Sequence, residues 1–133
     1  MVLDTSAIVA AIGSEPDSVL FRTAMLEAES LSISSVTVLE ASIVLRARHG
    51  DEAVDEFDKM LQGAGVRVIP FDAEAAKVAF EAFRRFGKGQ GHRAQLNIVD
   101  CVAYAAAKME NEPLLFKGDD FARTDLRSAL SSQ

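Results

Sequence analysis

Apolar residues fall in four short runs, each followed by one or two longer stretches with helical spacing. The first run, MVL at 1–3, stops at Asp4, and TSAIVAAIG follows as a helix closed by a glycine. Glu15-Pro16-Asp17 opens a second helix that extends to about Glu29, because a proline in the first turn lacks only an N–H that would go unpaired. LSIS at 31–34 alternates like a short strand. Ser34 or Ser35 then caps a helix through VTVLEASIVLRARHG, closed by Gly50. A further helix covers about 51–62 and ends at Gly63 and Gly65. VRVIPF at 66–71 is the third strand, and Asp72 caps AEAAKVAFEAFRRFG, with Ala76, Phe80 and Phe83 on one face. Asn97 caps IVDCVAYAAAKME, a helix apolar on every side that belongs in the interior. PLLF at 113–116 is the last strand, and the polar turn KGDD follows it.

Short strands alternating with helices of ten or more residues predict an α/β fold, with a central, mainly parallel β-sheet flanked by α-helices on both sides. The chain of 133 residues matches the size of one domain, 1–133. In such sheets ligands gather at the carboxyl ends of the strands, which is where the candidate chemistry is sought.

Composition narrows the class. Residues are 49% hydrophobic and 26% charged, a balance that supports a packed core and excludes a disordered chain. The longest apolar runs, 7–12 and 101–107, are too short to span a bilayer, so no membrane partner is expected. No basic region precedes the first apolar stretch, which argues against a secretory signal. The lone Cys101 has no internal disulfide partner, in keeping with a reducing compartment and a cytoplasmic location. Fourteen Lys and Arg against twenty Asp and Glu give a net charge of −6, the wrong sign for simple electrostatic binding of nucleic acid. One stretch departs from that average. RRFGKGQGHR at 84–93 carries Arg84, Arg85, Lys88 and Arg93 without an acid, and its glycines make it read as a mobile basic loop, either a solvated turn or a phosphate-contacting arm.

Several acids stand in apolar company. Asp4 ends the first strand, where it can serve as a helix N-cap, and Asp119 and Asp120 follow the last strand behind Gly118. Glu40 has Val36, Ile43, Val44 and Ala47 at helical spacing, which places it on an apolar face. Asp100 lies within the interior helix, three residues after Asn97, and can also be the acidic member of a capping pair. A parallel sheet would bring the first and last strand ends to one edge, with Glu40 and Asp100 alongside. Gathered carboxylates cannot all stay ionised without a counter-charge, and no Lys or Arg adjoins Asp4, Glu40 or Asp100 in sequence. A hard divalent cation, Mg²⁺ or Mn²⁺, answers that need, whereas no His and Cys pair at ligand spacing points to zinc.

These residues resemble the PIN-domain nucleases, in particular the VapC toxins of prokaryotic type II toxin–antitoxin systems. The similar segments are VLDTSA at 2–7, Glu40 within SSVTVLEAS, LNIVDCVAYAAAK at 96–108 and LLFKGDDFARTD at 114–125. The resemblance covers about 1–126 and implies a PIN-like domain with endoribonuclease activity on single-stranded RNA, dependent on Mg²⁺ or Mn²⁺. It implies Asp4, Glu40 and Asp100 as the core acids, with the metal on Asp4 and Asp100. Thr5 or Ser6 would steady the metal's water shell, Asn97 would support Asp100, and Asp119 would be the fourth acid with the adjacent Asp120 as the other candidate. By the same resemblance, a VapB-like antitoxin restrains the chain by packing near the site, and the chain pairs as a homodimer. Val9, Ile12, Val38, Leu39 and Leu45 are available either to that contact or to the core, and the core is the expectation for most of them.

Two other classes compete. A receiver-type phosphorylation domain needs a paired acid after the first strand and an acceptor Asp at a mid-chain strand end, and here Asp4 stands alone; a haloacid dehalogenase-type phosphatase needs Asp-x-Asp where DTS stands. A non-catalytic α/β interaction module would use the same acids as caps and turns.

Overall fold

The computed structural model describes residues 1–130. Its elements follow the expected order: β1 Val2–Leu3, α1 Thr5–Ile12, α2 Ser18–Glu27, β2 Ser32–Ser34, α3 Ser35–His49, α4 Asp51–Gly63, β3 Arg67–Ile69, α5 Ala73–Phe86, α6 Ile98–Glu110 and β4 Leu114–Leu115, with a 3₁₀ turn at Phe121–Arg123. The four strands form one sheet in the order β3-β2-β1-β4, and every pairing is parallel. β1 is central. The chain leaves it on one side toward β2 and β3, then returns by α5 and α6 to lay β4 on its other side, so the strand order reverses beside β1. In open α/β sheets that reversal marks the binding crevice.

Alternation along the strands sorts the core into two layers. Val2 and its partner Leu114 belong to the cluster covered by α5 and α6, with Phe116 and Phe121. Leu3, its partner Leu115, and Ile33 face the other way, into the cluster with Ile8, Phe21, Leu45 and Phe57 from α1 to α4. Seven consecutive residues of α6, Cys101 to Ala107, are buried, as expected of a helix apolar on every side. Among the described residues, no helix is long and apolar enough to cross a membrane.

Four local expectations need correction. The third strand is shorter than 66–71. It lies at the sheet edge with Val68 45% exposed, and Pro70 has no N–H with which to extend the ladder. α2 starts at Ser18, not at Glu15, and its N-cap Asp17 makes no capping bond because its carboxylate is engaged by Lys117. On α5 the core stripe is Ala75, Ala79, Ala82 and Phe86, small residues that let α5 approach α6, while Ala76 and Phe80 of the expected face are exposed. The basic stretch is not a loose arm. Lys88 N–H donates to the Leu96 carbonyl (2.8 Å), Leu96 N–H donates to Phe86 (2.9 Å), and Ala94 and Leu96 are fully buried.

Of the residues placed between core and contact, Val9 and Leu45 are buried, Ile12 and Val38 are half-buried, and Leu39 is 61% exposed. Gly87, which closes α5, is required by close approach, since a Cβ there would collide with the carbonyl oxygen and ring of Phe83. Gly87→Ala is expected to lower stability by about 1–3 kcal/mol in urea unfolding, because the obstructing atom is backbone and cannot swing aside.

Candidate active site

Asp4 stands at the carboxyl end of β1, beside the strand reversal. Its N–H completes the ladder to Leu115 (3.0 Å), and its side chain caps α1. The capping bond from Ser6 N–H (3.0 Å) and a bond from the Ser6 hydroxyl (2.6 Å) converge on Oδ2. That hydroxyl in turn accepts from the Lys117 N–H (2.9 Å), so Ser6 ties the ends of β1 and β4 together through the carboxylate. Asp4 is only 5% exposed, and burial pushes its carboxyl above the usual range despite the Ser6 bonds, with the charge of Glu40 adding to the rise. The residue is both the helix cap and a group held in an environment hostile to its charge.

Glu40 comes from α3, and its surroundings differ from those expected. The buried stripe of that helix is Thr37, Ala41 and Leu45, whereas Ile43 is 59% exposed and Ala47 is exposed. Glu40 therefore sits half-buried at the border of the stripe, where the Thr5 hydroxyl donates to its Oε1 (2.5 Å). Sequence spacing found a helix face with apolar residues, but not which face the sheet would cover.

Asp100 fulfils both of its readings. With Asn97 it forms a reciprocal capping box, Asn97 N–H donating to Oδ2 (2.9 Å) and Asp100 N–H donating to Asn97 Oδ1 (2.8 Å). Its carboxyl is nevertheless pushed up to about 6, first by burial and then by the charges of Asp4, Asp120 and Glu40. Of the two adjacent acids after β4, it is Asp120 whose charge is felt at Asp100. Asp120 is the N-cap of the 3₁₀ turn, which is anchored by Phe121 packed on Phe116 and by Asp125, itself held by the Tyr104 hydroxyl (2.6 Å) and Lys108 (3.0 Å).

Asp4, Glu40 and Asp100 line one pocket of about 350 Å³, together with Thr5, Ser6, Val9, Glu15, Val44, Arg48 and Lys117. Sequence reading missed Glu15, Arg48 and Lys117. A signal for Arg48 was present, because Glu40, Val44 and Arg48 recur every four residues on one face of α3. Arg84, Arg85, Lys88 and Arg93 do not line this pocket. Arg84 lies over Phe80, and Arg85 lies over Phe86 and pairs with Asp125 (3.7 Å). A larger apolar groove of about 630 Å³ lies between α5 and the start of α6 and shares no lining residue with the acid pocket, with Phe80 (59% exposed) and Ile98 (77%) on it.

The donor atoms of the pocket are carboxylate and hydroxyl oxygens, the set that a hard, strongly hydrated cation prefers. Neither Asp4 nor Asp100 makes an ion pair among the described residues, and each has a carboxyl whose ionised form the surroundings disfavour. Among the described residues no three His, Cys, Asp or Glu side chains are grouped to enclose an ion by themselves. The fit is to an ion that keeps most of its waters and takes one or two carboxylates.

Comparison with known proteins gives a consistent picture. The profile of the PIN domain family matches residues 1–126. Ribonuclease VapC of Mycolicibacterium smegmatis is 44% identical over 126 residues, covering 95% of this chain and 97% of its own. Among solved structures, VapC20 of Mycobacterium tuberculosis, described as a Sarcin-Ricin loop cleaving toxin, superposes with a TM-score of 0.80 at 16% identity, covering 94% of this chain and 95% of that one. A toxin–antitoxin complex from Klebsiella pneumoniae gives 0.68 at 14% identity, covering 93% and 92%.

The raised carboxyl of Asp100 has a measurable sign. Between its ordinary 3.8 and about 6 the folded chain holds a proton that the unfolded chain has released, so this contribution to stability is lost as pH rises through that window. In metal-free buffer Asp100→Asn, which can still accept from the Asn97 N–H, is expected to be more stable than the parent by about 1 kcal/mol above pH ~6.5 after solvent screening, with the gain vanishing below pH ~4. Urea unfolding across pH 4–8 checks it, and a gain independent of pH would contradict it.

Proposed function

The chain belongs to the PIN domain family, and on that basis we propose that it is an endoribonuclease of the VapC type, cutting phosphodiester bonds in single-stranded RNA as the toxin of a toxin–antitoxin pair. The observation that carries this reading is the convergence of Asp4, Glu40 and Asp100 from three separate parts of the chain on one strand-end pocket, with the charge of Asp120 bearing on Asp100. The desolvation of Asp4 and Asp100 also disfavours the non-catalytic alternative, since caps and turns at a surface need no such burial.

Asp4 and Asp100 are the ligands we assign to Mg²⁺, or Mn²⁺ in its place, which when bound supplies positive charge against the scissile phosphate and lowers the pKa of water. Ser6 fixes the rotamer of Asp4 through Oδ2, and Asn97 fixes that of Asp100 through the capping box. Glu40, oriented by Thr5, is the group placed to accept a proton from the attacking water. Asp120 is the fourth acid in preference to Asp119, because its charge bears on Asp100.

Toxin–antitoxin complexes among the structural neighbours support a small antitoxin as the physiological partner. An antitoxin cation entering the pocket would relieve the same carboxylates that the metal relieves. We also propose that two copies of the chain pair, with Leu39, Ile43, Phe80 and Ile98 as the apolar surface available for it, and that the protein acts in the cytoplasm.

Cleavage of single-stranded RNA is expected to require Mg²⁺ or Mn²⁺ and to stop in EDTA. Asp4→Asn and Asp100→Asn should each slow it by roughly 10²- to 10⁴-fold, and Asp120→Asn should cost far more than Asp119→Asn. Full activity in Asp100→Asn would end the assignment.

A further inference from the structure

The pocket poses an electrostatic problem that a metal alone does not solve. Four carboxylates line it, Asp4, Glu15, Glu40 and Asp100, and a polyanion must be held against them. Two cations line it as well. Arg48, in the last turn of α3, is exposed and makes no ion pair among the described residues. Lys117 follows β4 directly, and its Nζ is taken by Glu15 (2.7 Å) and Asp17 (3.2 Å) from the turn between α1 and α2. Its side chain is still 42% exposed, so the pair is open to displacement from solvent.

The geometry of α3 gives the pocket a direction. Glu40, Val44 and Arg48 lie on one face, and eight residues of helix separate the acid from the arginine by roughly 12 Å. Val9 and Val44 provide an apolar floor between them. Such a trough takes a run of backbone, with the reacting phosphate at the acid end and a cation at the other. By contrast, two of the four cations of the basic stretch, Arg84 and Arg85, are already engaged by phenylalanine rings and acids away from this pocket.

We propose that Arg48 and Lys117 are the residues that hold the RNA backbone in the acid pocket, with Glu15 and Asp17 occupying Lys117 until a phosphate replaces them. The inference rests on the ribonuclease reading above. Arg48 offers a planar fork of donors to phosphate oxygens, and Lys117 a point charge whose backbone N–H simultaneously steadies Ser6 and, through it, Asp4. The two acids give the pocket a counter-charge for Lys117 in the absence of substrate, so an incoming strand exchanges one anionic partner for another.

The test uses the full chain and a single-stranded RNA that the unmodified protein cuts in Mg²⁺. Arg48→Ala and Lys117→Ala should each raise KM about 3- to 10-fold while kcat stays within about twofold. Each should also make the slope of log kcat/KM against log salt shallower by about 0.7, and the double variant by about 1.4. Glu15→Gln combined with Asp17→Asn should lower KM by freeing Lys117, a result that loss of folding cannot imitate. Lys59→Ala, at an exposed position of α4 outside the pocket, should leave KM and slope unchanged. An unchanged KM and salt slope in the Arg48, Lys117 double variant, with cleavage by the parent intact, overturns this inference and leaves the ribonuclease reading standing. Failure of the parent to cut any RNA removes both.

Discussion

Withdrawal of Asp4 from water at the end of the central strand is the constraint around which the rest is arranged. Asp4, 5% exposed, with Glu40 nearby and no Lys or Arg paired to it among the described residues, is held against its carboxylate's preference for solvent. Its two bonds from Ser6 offset part of that cost without removing it. Asp100 then feels Asp4, Asp120 and Glu40 together, which makes the site a store of unfavourable charge that any bound cation would relieve. A fold that tolerates this arrangement draws stability from elsewhere, and the fully buried Leu3, Ile8, Ile33, Leu45 and Phe57 on one side of the sheet, with Leu96 and Leu114 on the other, are where it comes from.

The sheet order explains how four distant acids meet. With β1 between β2 and β4, and all strands parallel, every carboxyl end lies on one edge. Asp4 leaves β1 there, α3 starts there after β2 and carries Glu40 in its second turn, and Asp120 follows β4 by a short turn at Gly118. Asp100 reaches the same edge from the first turn of α6, which packs on the sheet face. Ser6 and Thr5, in the first turn of α1, face two different acids, so one helix N-terminus organises both Asp4 and Glu40. The same arrangement explains why bland and chemical readings of these acids are not rivals. Asp4 and Asp100 are caps, and capping is what fixes them in the pocket.

Much of this was legible along the chain because it rests on local physics. The positions of strands and helices follow from period and punctuation, Asn97 and Asp100 stand at the spacing of a capping box, and the uniformly apolar α6 could only be interior. The candidate acids Asp4, Glu40 and Asp100 stood out for the same reason, as charges where the pattern called for none. Resemblance of the motifs to PIN-domain nucleases added the chemistry that composition alone, with its net charge of −6, argued against.

What the sequence could not decide is which side of an amphipathic segment meets a neighbour. Val36, Ile43 and Ala47 looked like the core face of α3, yet Thr37, Ala41 and Leu45 are the buried stripe, and on α5 the alanines, not Phe80, face inward. Those choices depend on how closely helices approach the sheet, a property of the assembled layers and not of any one segment. For the same reason, only the folded chain could bring Arg48, Lys117 and Glu15 to the acid pocket or bring the charge of Asp120 to bear on Asp100. Local periodicity determined the elements and named the unusual charges, whereas distances between residues a hundred positions apart were settled by packing, because no term in the sequence pattern carries them.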